Sequence, residues 1–200
     1  MNALKAAHDA LGAGASFAQA AERAKGFASF SGPMRANLVN LLDHIGLADW
    51  LGLTTTAQLW HDHNHLAHFT SALRYPVFVD GENWSGAPDM LRSEPMRRWL
   101  ETFLGTELAG LRSAVFVPLG PKVTEALRHL ASLGVIPEDR ILDGLPHPSG
   151  ANAERIAYFL GTKPAERLSP KTNSAAIDAA RSSLFRKVGS LQAEAAAHDF

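Results

Sequence analysis

Residues 114–132 read AVFVPLGPKVTEALRHLAS, a six-residue apolar run joined to a helical pattern through Pro118-Leu119-Gly120-Pro121. No other stretch constrains the fold as strongly. Ala114 to Leu119 has the length and composition of a buried parallel strand, and a proline is tolerated in the first helical turn that follows. Two further segments read the same way. HLAHFTSALRYPVFV, residues 65–79, predicts a strand ending near Ser71, and Arg140 to Leu142 predicts a brief strand before a loop and the helix AERIAYFLG, with Asn152 as its cap. Strands alternating with helices predict an α/β fold, a three-layer α/β/α sandwich with a short, mostly parallel central sheet of about four strands.

The remaining segments fit helices and turns. Residues 2–24 read as one helix. A second starts at Pro33 and carries Leu38, Leu41, Leu42 and Ile45 at helical spacing until Gly46 stops it. Thr54–Trp60 is ambiguous between helix and strand, GENWSGAP is turn chemistry, Pro95–Leu111 is helical, and a last helix spans about 174–196. At 200 residues without internal repeats, the chain is expected to form a single domain over 1–200. Its parts are a helical N-terminal segment (1–27), a core (28–160) and a C-terminal helical segment (161–200).

The chain has no cysteine, which removes disulfides, thiolate nucleophiles, iron–sulfur clusters and cysteine-ligated zinc. No stretch approaches the length of a membrane span, and the N-terminus lacks a signal-peptide core. The expected address is therefore cytoplasmic, with no membrane partner; a monomeric state is also expected. A net charge of −1 gives no global attraction to polyanions. Between Lys163 and Lys187, however, six basic residues (Lys163, Arg167, Lys171, Arg181, Arg186, Lys187) face two acidic ones (Glu166, Asp178), a local net of +4. This run is either a solvated helical face or a phosphate-contacting edge.

In parallel sheets, ligands collect at the carboxyl ends of strands. Thr70-Ser71, Gly120-Pro121-Lys122 and Pro146-His147-Pro148-Ser149 are expected there. In GLPHPSGAN, residues 144–152, the two prolines restrict the backbone on either side of one imidazole.

In order, the chain carries FSGP, LVNLLDHIGL, FTSALRYPV, AVFVPLGPKVTEAL and GLPHPSGAN. This set resembles the uracil-DNA glycosylase superfamily over roughly residues 28–160. The resemblance implies a monofunctional DNA glycosylase that hydrolyses the N-glycosidic bond of uracil or a modified pyrimidine and leaves an abasic site, as in DNA repair. His147 matches the histidine that donates to the departing base's carbonyl oxygen, electrostatic stabilisation where charge develops. Phe30 matches the ring that stacks on the flipped base. Ser71 stands where many members have an asparagine that reads the base edge, and Asn83 is a substitute. Ser149, Gly150, Ala151 and Asn152 match the loop that presses into the minor groove, and Lys122 offers a phosphate contact. The implied partner is DNA, duplex or single-stranded, with a flipped base. No metal and no organic cofactor are required.

The chain departs from the family pattern upstream of Phe30, where the apolar first strand and its water-positioning residue are not found. Either the chain begins after that strand, or another residue serves, with Asp80 and Glu82 as candidates. An alternative is a catalytically degenerate nucleic-acid-binding relative. A third reading comes from WHDHNHLAH, where His61, His63, His65 and His68 include three imidazoles that an extended segment would place on one face for zinc. Trp50, Trp60, Trp84 and Trp99 read as core or pocket wall.

Overall fold

The computed structural model describes residues 3–28, 30–111 and 113–198. In chain order its elements are α1 (Ala3–Gly12), α2 (Phe17–Ala28), α3 (Pro33–His44), α4 (Leu47–Trp50), β1 (Phe78–Val79) and β2 (Glu82–Asn83). Then follow α5 (Glu94–Trp99), a π-type segment over Leu100–Gly105, α6 (Thr106–Ala109), α7 (Pro121–Ser132), α8 (Ala153–Phe159) and α9 (Ser174–His198). Short 3-10 turns punctuate the rest.

The expected α/β/α sandwich does not form. The strands described are β1 and β2, which pair antiparallel, and parallel pairing is reduced to one isolated bridge, Phe116 with Ile141. Phe116 N–H donates to the Arg140 carbonyl at 2.9 Å, and Leu142 N–H to the Phe116 carbonyl at 2.8 Å. The apolar run cannot extend this ladder. Ala114 N–H is closed in a turn onto Leu111, and Pro118 has no N–H to donate. The strand expected to end near Ser71 is absent too. Leu66 and Ala67 close 3-10 turns onto His63 and Asn64, and pairing begins only at Phe78.

Other elements differ locally. The helix expected over 2–24 is two helices, and Asn2 lies outside the described residues. Gly14 at φ 84 ends the first. Ser16 starts the second with a reciprocal cap: its Oγ accepts from Gln19 N–H at 3.3 Å, and its own N–H donates to Gln19 Oε1 at 2.9 Å. The ambiguous segment before Trp60 is a 3-10 helix, Thr56–Trp60, capped by Thr55 and Gln58.

The chain divides into two compact units. The first comprises residues 1–69, 148–174 and 188–200, and its core holds Leu41, Ile45, Phe159 and Val188, each at most 1% exposed. The second comprises 70–147 and 175–187. Its core gathers Met96, Leu100, Leu104, Phe116, Leu130 and Ile141. No helix among the described residues is long and apolar enough to cross a membrane.

Candidate functional site

In the second unit, the stretch leading to His147 is held from two helices. Lys187 on α9 donates from Nζ to the Ile141 carbonyl at 2.6 Å and to Asp143 Oδ1 at 2.9 Å. Arg128 on α7 donates to Asp143 Oδ2 at 2.6 Å. Burial pushes the Asp143 carboxyl up, but the hydrogen bond and charge of Lys187, with Arg128, outweigh it and hold the group below its ordinary value. Gly144 follows at φ 104 and lies so close to α9 that a Cβ there would be 2.8 Å from Ala180 Cβ. Only glycine fits that approach. Pro146 is buried, and the His147 ring then packs near Gly120, where α7 begins.

A second group of residues comes from the hairpin. Asp80 and Gly81 have φ of 51° and 83°, the two left-handed positions that a tight two-residue turn demands. The turn pairs Phe78 with Asn83. Trp84 N–H then donates to the Val77 carbonyl at 2.8 Å, and its indole Nε1–H to the Pro88 carbonyl at 2.9 Å. The indole is thereby fixed as a planar wall. Tyr75 packs edge-on against Phe103, with ring centroids 5.5 Å apart.

These segments line a wide-mouthed surface cavity of about 730 Å³, with Tyr75, Asn83, Ser85 and Lys122 exposed at its rim. Its polar lining includes Asn83, Ser85, Lys122 and His147, and its apolar walls include Leu73, Val77, Met90 and Val123 with Trp84 and Tyr75. Among the described residues, no carboxylate lines it. Lys122 donates to Asp89 and to Glu125 Oε2 (3.0 Å). The Asp89 hydrogen bond, then that of Glu125, raise the lysine's pKa, and Lys122 in turn lowers that of Asp89. The ammonium is kept charged, with two carboxylates already beside it.

Of the residues singled out in the sequence, His147, Asn83 and Lys122 meet at this cavity. Ser71 is exposed and precedes the lining residue Ala72 without lining the cavity itself. Phe30 belongs to the first unit, at φ 51, with its carbonyl accepting from Arg35 Nε at 3.1 Å and its ring edge-on to Phe69. Trp60 stacks on Phe69 in that unit and is buried, Trp50 and Trp84 are half-buried, and Trp99 is 41% exposed. Asp80 and Glu82 fall on the exposed hairpin tip, outside the cavity lining. The sequence reading missed Tyr75, Met90 and Val123 as cavity walls. The Tyr-Pro step and the hairpin turn beside it were the available signals.

Ser149, Gly150, Ala151 and Asn152 lie in the first unit, where Gly150–Asn152 forms a 3-10 turn and the Pro148 carbonyl accepts from Asn37 Nδ2 at 2.8 Å. Asn152 heads α8 without capping it: its amide donates to Ser149 Oγ at 3.1 Å and accepts from Arg155 at 2.8 Å. Glu154, in the first turn, instead gathers Lys163 Nζ (2.7 Å), Ser169 Oγ and Thr172 Oγ1 (2.6 Å each). Those bonds, Lys163 first, lower its carboxyl to about 2. The basic run is likewise partly neutralised, since Lys163 pairs with Glu154, Arg181 with Asp178 and Lys187 with Asp143. His61, His65 and His68 are exposed, and no group of three or more candidate ligands for a metal ion forms among the described residues.

No family model matches the sequence, and no solved structure matches it. Among curated proteins, "Uncharacterized protein YoxB" of Bacillus subtilis (strain 168) is 32% identical over 163 residues. The match covers 80% of this chain and 64% of that protein's length.

Proposed function

We propose that the chain is a monofunctional DNA glycosylase that hydrolyses the N-glycosidic bond of a damaged or modified base. One observation carries the reading. Asn83 from the hairpin, Lys122 from the start of α7 and His147 from the Pro-His-Pro loop, far apart in sequence, line one cavity beside the fixed Trp84 indole. Pockets that read a flipped base combine a stacking face with donors and acceptors for its edge. The Asn83 amide supplies one donor and one acceptor side. His147 donates to the base oxygen on which negative charge grows as the bond to C1′ breaks, while the charge of Lys122 is offset by Asp89 and Glu125. Water attacks C1′, and the proton it sheds passes to solvent.

Among the described residues no carboxylate lines the cavity, which favours a second reading, a catalytically degenerate relative that binds nucleic acid without cleaving it. Incubation with single-stranded and duplex DNA carrying uracil, hypoxanthine, or hydroxymethylated or glucosylated cytosine separates the two. Abasic sites that form in EDTA and vanish in His147→Ala support the glycosylase. Binding with no abasic product supports the second reading, and activity abolished by chelator would instead point to a metal-dependent hydrolase.

A further inference from the structure

We infer that Arg155 and Lys171, on the first unit and outside the cavity lining, form a contact for the phosphodiester backbone of DNA. This rests on the reading of the chain as a DNA-acting protein and gives that partner a place on the surface. Over residues 149–172 the sequence carries Arg155, Lys163, Arg167 and Lys171 against Glu154 and Glu166, a local net of +2.

The hydrogen bonds show where that excess sits. Glu154 takes Lys163 as its ion partner at 2.7 Å, and it also accepts from the Ser169 N–H at 3.1 Å and from the Ser169 and Thr172 hydroxyls. These bonds fasten the 163–172 segment onto α8 and bring Lys171 beside Arg155, whose Nη2 donates to the Lys171 carbonyl at 3.4 Å. Arg155 Nη1 donates to Asn152 Oδ1 at 2.8 Å. Both acceptors that orient the guanidinium are neutral, so its charge is not cancelled. Among the described residues neither Arg155 nor Lys171 pairs with a carboxylate, whereas Lys163, Arg181 and Lys187 each do. Arg155 and Lys171 are both exposed.

Two cations held side by side repel, and an anion placed against both relieves that. A guanidinium has five N–H donors in a planar fork suited to phosphate oxygens, and only two bonds engage it here. Those bonds already fix its position, so little rotamer freedom is lost when a phosphate arrives. Exposed charges of this kind hold one small anion weakly. Along a strand, each phosphate neutralised releases condensed counterions, and that favours a polyanion.

Salt titration tests this. Fluorescence anisotropy of a labelled DNA duplex with the full chain is expected to show log K falling linearly with log salt between roughly 50 and 200 mM. Arg155→Gln with Lys171→Gln should reduce that slope by about 2, and each single substitution by about 1. Arg155→Lys keeps the charge and should keep the slope. Arg98→Gln, which removes an exposed cation of the second unit, should also leave it unchanged. An unaltered slope in the double variant, an equal reduction in Arg98→Gln, or failure of the unaltered chain to bind the duplex overturns the inference. Calorimetric binding of inorganic phosphate in place of DNA overturns it too, by making a small anion the occupant. Abasic-site assays keep the two ideas apart. A reduced slope in the double variant, with no abasic product from the unaltered chain, sinks the glycosylase reading alone. Excision with an unaltered slope sinks only the phosphate contact.

Discussion

The His147 ring and the Gly120 backbone are packed together: a Cβ built on Gly120 would stand 3.5 Å from His147 Cδ2. That distance is an ordinary contact, so the first penalty for a side chain at Gly120 is conformational, from its φ of 99°. Gly120→Ala is expected to lose about 1–3 kcal/mol in urea unfolding, the usual cost of a strained non-glycine backbone. Gly120→Val should lose more, because its γ-carbons reach the ring, and should slow base excision beyond any change in binding. Equal stability of both variants with the unaltered chain would contradict this packing.

Gly144 presents the tighter case. Its φ of 104° and the 2.8 Å approach to Ala180 Cβ together predict a loss above about 2 kcal/mol for Gly144→Ala. Adding Ala180→Gly removes the clash but not the backbone strain. A double-mutant cycle by chemical denaturation should therefore show partial recovery.

Lys187 is a brace for the His147 loop. Lys187→Met removes two hydrogen bonds, to Ile141 and Asp143, and leaves Asp143 with Arg128. The expected cost is about 1.5–3 kcal/mol, the scale for hydrogen bonds to charged groups. The Asp143 carboxyl should titrate higher than in the unaltered chain, measurable by carbon NMR.

Acid sensitivity should centre on Glu154. Its folded carboxyl lies at about 2 against an ordinary 4.5. A lowered folded value stabilises the protein fully above the unfolded value, and the stabilisation is lost as pH falls from 4.5 to about 2. Glu154→Gln should therefore reduce stability above pH 4.5 and flatten the decline below it, read as urea midpoints across pH 2–7.

The helices were legible because their signals are local. Leu38, Leu41 and Leu42 repeat at helical spacing behind Pro33, and Pro121 opens α7 after Gly120. The sheet was not legible. A short apolar run that ends in prolines looks the same whether it pairs along its length or makes one bridge, and the outcome is set by which N–H groups have acceptors across the gap. Here Phe116 and Leu142 find them and Pro118 cannot.

The candidate site divides along the same line. Pro-His-Pro marked His147 through backbone stiffness, which sequence shows directly, whereas Asn83 entered only through the resemblance, as a substitute for the family's asparagine. Tyr75 and Met90 reach the cavity only through tertiary packing, and Phe30 resembles a base-stacking residue in its motif while packing on Phe69 in the first unit.

The most direct measurement is the single-turnover rate of abasic-site formation in the unaltered chain and in His147→Ala, with EDTA present and on the best substrate found. The account predicts a fall of about 10²–10³-fold in the variant, the usual effect of losing one donor to a developing oxyanion, with base binding largely retained. A variant that forms abasic sites at the unaltered rate, or an unaltered chain that forms none on any base, would contradict it.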